Sequence, residues 1–517
     1  MTWFDPQPLL LPEVITNNGR WLADKPALIC DGTTLNWRDF AAATNRVASA
    51  LRHGGLGTGD RVAVVMDNSS EMAIALFGII RAGAVAVPLN VSISDEAIAN
   101  MVNDSDARAI FASSAHRQRI DGLRDDLPST IGERYVLVGQ QQPDWLAFDD
   151  WQSAASSEPT DIKITADDEC NIIYSSGTTG MPKGIVHDHR ARAAWAYDMA
   201  VGLRYHSGAR TLCSLGLYSN ISWVAMLATI LAGGTLIIMR RFDAKACLEL
   251  MQAQRVSHTT MVPVQLQRML ALDDFDTYDL SSLRSLMCCG SPLPPIHKRR
   301  IVAGLGNAFM ELYGLTEGLV TILSPEDMHR KTESVGLPCP GQDIRILDNN
   351  DNLCANGQPG EIVGRGPLMM AGYHNRPDEN AASTWIDEAG NKWLRTGDIG
   401  KLDDDGFLYL VDRKKDMIIS GGQNIFPADI EAHIVEHDDV AEVAVIGVPS
   451  ERWGETPVAI VVQKNAIEAD ALQAWINARV GKQQRVAAVR FIDELPRNPN
   501  GKVLKRELRL NFGDLQL

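Results

Sequence analysis

A chain of 517 residues is too long for one hydrophobic core, and 45% hydrophobic against 22% charged residues is ordinary for a globular protein of two or more domains. A formal net charge of -16 excludes the clustered positive field of a nucleic-acid-binding surface and disfavours docking on anionic membranes. The eight cysteines are dispersed with no CxxC pair, which reads as reduced thiols rather than a disulfide framework or zinc site. The start, Met1 to Pro6, lacks the basic region of an export signal, so a cytoplasmic location is expected.

In chain order, residues 61–66 are β-rich, 71–82 are helical in character, and 84–88 and 107–112 are again apolar strands. The strand 171–174 follows, then strands at 210–215, 235–239, 257–262 and 284–289. Residues 223–239 carry no charge, but they fall short of a membrane-spanning length and Gly233-Gly234 splits them. They read as a buried helix, a glycine turn and a strand, so no integral membrane segment is expected. Strands alternating with helices across short Gly-rich turns imply parallel sheets covered on both faces. From about Val335 the texture changes: short alternating runs at 343–347, 360–364 and 407–411, separated by Asn, Asp and Gly, imply antiparallel β-structure. A charged link, Asp412-Arg413-Lys414-Lys415-Asp416, precedes a helix from Pro427, strands at 442–448 and 457–463, a helix at 470–480 and a strand at 486–492. That is enough chain for a small independent domain, which sets expected domains of 1–414 and 415–517.

The strongest local signal is the polar run from Tyr174 to Gly184. Ser175, Ser176, Gly177, Thr178, Thr179, Gly180 and Lys183 suit wrapping a polyphosphate. Glycine lets backbone N–H groups approach, hydroxyls donate hydrogen bonds, and lysine supplies a mobile positive charge. The GxxxxGK[ST] spacing of a Walker A loop is absent.

This run resembles the phosphate loop of the adenylate-forming superfamily, which holds acyl-CoA synthetases, peptide-synthetase adenylation domains and firefly luciferase. Four further segments resemble that family's motifs in the same order. They are Glu311-Leu312-Tyr313-Gly314-Leu315-Thr316-Glu317, Trp393 to Asp398, Asp412 to Ile425, and Pro496 to Lys502. The resemblance spans nearly the whole chain. It implies an α/β fold: a large N-terminal domain of two doubly wound α/β subdomains plus a small β-barrel, with a mobile α+β C-terminal domain closing the active site.

The activity implied is ATP-dependent carboxylate–CoA ligation. A carboxylate attacks the α-phosphate of ATP in line, giving an acyl-adenylate and pyrophosphate, and CoA then gives an acyl-CoA thioester and AMP. Two anions must meet, so catalysis is mostly charge neutralisation and positioning. By resemblance, Glu317 and Thr178 hold Mg²⁺, a hard cation that suits hard oxygen ligands. Thr316 and Thr178 orient the phosphates, and Asp398 accepts the ribose hydroxyls. Tyr313 stacks on adenine beside Gly290, Ser291 and Pro292, with Glu311 and Leu312 in the same nucleotide segment. Arg413 reaches the ribose or phosphate, and Lys502 bridges carboxylate and α-phosphate. Loss of such a group is expected to slow the reaction on the order of a hundredfold. Lys415 maps to the hinge, and Gly421-Gly422 give the pantetheine arm of CoA room to pass.

Tyr218, Cys289, Gly314 and Leu315 fall where the family builds its acid pocket. Tyr218 stands at a gate where many relatives carry histidine; it gates by bulk and carries no positive charge. Cys289 and Leu312 replace frequent glycines. The expected acid is a monocarboxylate, medium-chain aliphatic or aryl/arylalkyl. The expected ligands are ATP, Mg²⁺, CoA and a small carboxylic acid, with no nucleic acid; a homodimer is left open. The rival readings are an acyl-AMP ligase loading a separate carrier protein and a non-catalytic nucleotide-binding regulator. The chain ends shortly after Lys502, so no fused carrier is expected. His433-Ile434-Val435-Glu436-His437 matches the inverted zinc-protease pattern, and the family places an exposed helix there.

Overall fold

The computed structural model describes residues 9–513 except 176–181, 292, 294, 421–422, 451, 483 and 498–501, with backbone alone at 295–297 and 423–424. Two large sheets organise the first three-quarters of the chain. One has eight strands in the order Gly372–Tyr373, Lys183–Asp188, Glu169–Ser175, Val85–Pro88, Arg61–Val65, Ala107–Ser113, Tyr135–Val138 and Leu146–Ala147. The other has nine, running from Leu337–Pro338 through Val320–Leu323, Phe309–Gly314, Ser285–Cys288, His258–Met261, Arg210–Cys213, Thr235–Ile238 and Pro26–Cys30 to Thr33–Asn36.

Helices Trp37–His53, Ser70–Arg81 and Asn220–Ala232 are packed between the sheets, and one apolar cluster joins them to strand residues of both, such as Val62 and Leu236. Aromatic edges lock the layer: Phe40 meets Phe77 at 6.1 Å and Phe77 meets Trp223 at 6.1 Å between ring centroids. Separate clusters under the outer helices cover the remaining face of each sheet. The uncharged stretch resolves into the helix Asn220–Ala232 and the strand Thr235–Ile238, joined at Gly233 with φ +65°. A Cβ on Gly233 would meet Leu22 Cδ1 at 2.4 Å, so glycine answers both the left-handed turn and the close approach. Among the described residues no helix is long and apolar enough to cross a membrane.

The sheets are mixed rather than wholly parallel. Glu169–Ser175 and Lys183–Asp188 pair antiparallel, as do Phe309–Gly314 and Val320–Leu323. The reason is link length: a parallel crossover takes a dozen residues or more, and these connections are too short for one.

A third, five-stranded antiparallel sheet is built on the long strand Lys392–Leu402, which pairs with Gly360–Arg365, Thr384–Ile386 and Leu408–Arg413. A separate C-terminal domain follows. Its hairpin Val440–Ser450/Gly454–Gln463 carries Ile418–Ser420 and, in parallel, Ala488–Phe491. Its helices Pro427–Ile434, Ala469–Asn477 and Lys505–Phe512 bury Ile430, Ile476 and Leu508 in cores of its own.

Candidate active site

The hairpin that carries the phosphate-loop motif sets Ser175 opposite Lys183. Ser176, Gly177, Thr178, Thr179 and Gly180 lie outside the described residues, as do Pro292, Gly421 and Gly422. Beside the hairpin, the short strand Gly372–Tyr373 pairs Tyr373 with Ile185. The Lys183 ammonium stands 5.0 Å from the centre of the Tyr373 ring, and the Tyr373 hydroxyl donates to Glu317 Oε1 at 2.9 Å. Burial raises the Glu317 carboxyl, with the Tyr373 bond and Arg413 acting against it. On the next strand, His187 Nε2 lies 2.9 Å from the Thr316 carbonyl, so the ring proton sits on Nε2. Burial pushes His187 well below the usual histidine range and keeps it neutral.

The second half of the site is assembled around Asp398. Tyr313, near the end of the strand Phe309–Gly314, donates its hydroxyl to Asp398 Oδ2 at 2.8 Å. Arg413 lies opposite Asp398 across an antiparallel pair and brings Nε within 3.2 Å of Oδ1. Asp398 is held from behind as well: its N–H donates to Thr396 Oγ1 at 3.0 Å, and the Thr396 hydroxyl donates to the Ile362 carbonyl at 2.8 Å.

Lys502 arrives from the C-terminal domain. Burial and then Arg413 lower it from 10.5 to about 7, with Lys415 adding to the fall and Asp398 and Asp416 opposing it. Those four charged groups are therefore near enough to act on its ammonium. The link behind it is tied on both sides: Asp412 Oδ2 accepts the Ala428 N–H at 3.0 Å at the start of a helix, and Arg509 pairs with Asp416 at 2.9 Å.

Tyr218, Ile221, Cys289 and Leu312 belong to one apolar cluster. The Tyr218 ring covers Gly216, where a Cβ would meet Cε1 at 2.1 Å. Gly290 has φ +100°, and a Cβ there would lie 3.2 Å from both Ile221 and Val262. Ser291 follows it, half-buried. Burial pushes the Cys289 thiol up to about 12, so it packs as an inert apolar group. A Cβ on Gly314 would meet the Leu319 carbonyl at 2.8 Å.

Two sequence expectations stand apart from this assembly. The Glu311 carboxylate faces Lys298 at 2.5 Å, and Lys298 also donates to the Thr332 and Ser334 carbonyls at 2.8 and 3.0 Å. Both side chains are buried, so Glu311 braces the fold through Lys298. Leu315 packs with Leu319 and Ile344 against the small β-sheet rather than with Tyr218 and Cys289. In the inverted zinc-protease pattern, His437 lies edge-on to Trp475 at 4.7 Å and accepts the Asp439 N–H. Among the described residues no group of three or more His, Cys, Asp or Glu is placed to hold a metal.

Sequence reasoning missed Tyr373, Lys298 and Arg192. Arg192 is wholly buried and donates to Asn171 Oδ1 at 2.7 Å and Asn220 Oδ1 at 2.9 Å, tying the phosphate-loop hairpin to the helix behind Tyr218. Tyr373 sits in a two-residue strand with no periodicity to read; only its place after a glycine hinted at a turn.

The chain matches the family model described as AMP-binding enzyme over residues 16–374 and the AMP-binding enzyme C-terminal domain over 429–502. It is 34% identical to a long-chain-fatty-acid–CoA ligase of Mycobacterium tuberculosis, covering 92% of this chain and 93% of that one. It is also 34% identical to a feruloyl-CoA synthase of Amycolatopsis, at 93% and 95% coverage. Among solved structures, ATP-bound MatB of Rhodopseudomonas palustris superposes with a TM-score of 0.89 at 28% identity, covering 98% of this chain and 99% of that one. With these matches along nearly its full length, the chain belongs to the adenylate-forming AMP-binding enzymes and, within them, to the AMP-forming acid–thiol ligases of the acyl-CoA synthetase type.

Proposed function

We propose that the protein activates an apolar monocarboxylic acid with ATP, releases pyrophosphate, and passes the acyl group from the adenylate to CoA. The observation that carries this reading is the convergence of Tyr313 and Arg413 on the Asp398 carboxylate, with Lys502 of the C-terminal domain near enough to feel both charges. Lys502 neutralises the repulsion between the incoming carboxylate and the α-phosphate as charge develops between them. Asp398 offers its oxygens to the ribose hydroxyls, exchanging Tyr313 and Arg413 as partners. Tyr313 and Gly290 flank adenine, with Ser291 and Leu312 beside them, and Thr316 and Lys183 steady the phosphates.

Glu317 fits Mg²⁺ by its donor chemistry: it is a carboxylate raised by burial, and among the described residues no cation forms an ion pair with it. With Thr178 it would hold the ion, which supplies charge neutralisation between phosphate oxygens when bound. Tyr218, Ile221 and Cys289 offer the acid an uncharged wall, which suits an aliphatic or aryl/arylalkyl chain; relatives are named for long-chain fatty acids and for ferulic acid.

The thiol step belongs to a second pose in which residues 415–517 turn about Lys415. Ile419 and Trp453 are exposed beside Ser420, next to the glycines through which pantetheine would pass. Acceptor identity is tested by pyrophosphate release across a panel of carboxylic acids with ATP and Mg²⁺, with and without CoA. CoA-dependent turnover on one acid class is expected. A single burst that CoA does not stimulate would replace CoA with a carrier protein as the acceptor.

A further inference from the structure

A cavity of about 410 Å³, open to solvent, lies between the helix Pro377–Ala382, the strand Lys392–Leu402 and the phosphate-loop hairpin. It starts at Lys183 and Tyr373, the residue bonded to Glu317, and runs to Ala382, Arg395 and Lys414. In adenylation the carboxylate oxygen bonds to the α-phosphorus as the bridging P–O bond breaks, and the electron pair leaves on pyrophosphate. Attack is in line, so pyrophosphate departs on the side away from the acid. The acid side is the Tyr218 cluster, and Lys502 with its neighbours closes another. The cavity beside Lys183 opens on a side that, among the described residues, neither the Tyr218 cluster nor Lys502 lines.

Its lining carries charge of both signs. Lys183, Arg395 and Lys414 face Glu361 and Glu379, and Glu361 is already paired with Arg395 at 2.8 Å and Lys414 at 2.9 Å. Arg395 pairs with Asp351 as well. Each cation thus keeps donors for an incoming polyanion, while the near balance of charge prevents a deep trap.

We propose that this cavity is a pyrophosphate site: the product is received between Lys183, Arg395 and Lys414 and reaches solvent without the C-terminal domain opening. The inference deepens the ligase reading above and rests on it for the origin of the pyrophosphate.

Two variants at exposed or half-exposed positions test it. Pyrophosphate alone, titrated into the full-length protein by calorimetry, should bind Lys414→Ala about tenfold more weakly than the wild type; equal affinity overturns the site. This arm needs no turnover, so an absence of turnover would sink the ligase reading and leave the site to be judged by binding. In single turnovers with an active acid, Ala382→Trp should make free pyrophosphate lag behind adenylate formation. Simultaneous appearance of the two products, as in the wild type, overturns the exit path.

Discussion

Glu311 and Lys298 decide what one motif residue does. A buried ion pair whose ammonium also serves two backbone carbonyls is satisfied only as a set, and removing one member strands a buried charge. Glu311→Ala should therefore lose about 3–5 kcal/mol of stability, while Glu311→Leu with Lys298→Met recovers most of it. Urea unfolding checks the loss, and the KM for ATP in the double variant checks the role. An unchanged KM is expected; a large rise would return Glu311 to the nucleotide. From sequence, Glu311 could not be separated from Tyr313 and Glu317, because motif order marks a segment and not the direction of each side chain. The Tyr313–Asp398 bond links two segments that motif order had already singled out. Tyr373 had no such mark, since its value comes from standing between Lys183 and Glu317, a relation visible only in three dimensions.

At the scale of elements, hydrophobic alternation and turn residues located most strands and helices closely. The helix expected at 71–82 is Ser70–Arg81, and the strand at 343–347 is Asp343–Leu347. Strand direction was less legible, because it depends on the length of links rather than on the strands. The C-terminal domain brings its own electrostatic signature. Docking holds Lys502 at about 7, well below 10.5, chiefly through burial and then Arg413. Between those two values the docked domain binds fewer protons at this site than an undocked Lys502 would. Docking is thus most strained below pH 7 and eases as pH rises toward 10.5. Catalysis asks for the opposite, since only the ammonium can neutralise two anions. The kcat/KM for pyrophosphate release should therefore fall as pH rises through about 7, and Lys502→Arg should remove that falling limb. A wild-type profile flat from about pH 6 to 9 would contradict the assignment.

At the scale of the molecule, the large domain and the C-terminal domain each keep separate apolar cores among the described residues. Asp412 accepts the Ala428 N–H across the link and Arg413 is near enough to act on Lys502, so hydrogen bonds and charge can be exchanged there as the domain turns. That division favours a chain in which residues 415–517 serve two half-reactions in turn. The most direct test separates those halves. Lys502→Ala is assayed for adenylate formation from acid and ATP, and separately for thioester formation from supplied acyl-adenylate and CoA. The account predicts that the first falls on the order of a hundredfold or more while the second stays close to wild type. Equal loss in both half-reactions would contradict a lysine that acts only when the adenylate is made.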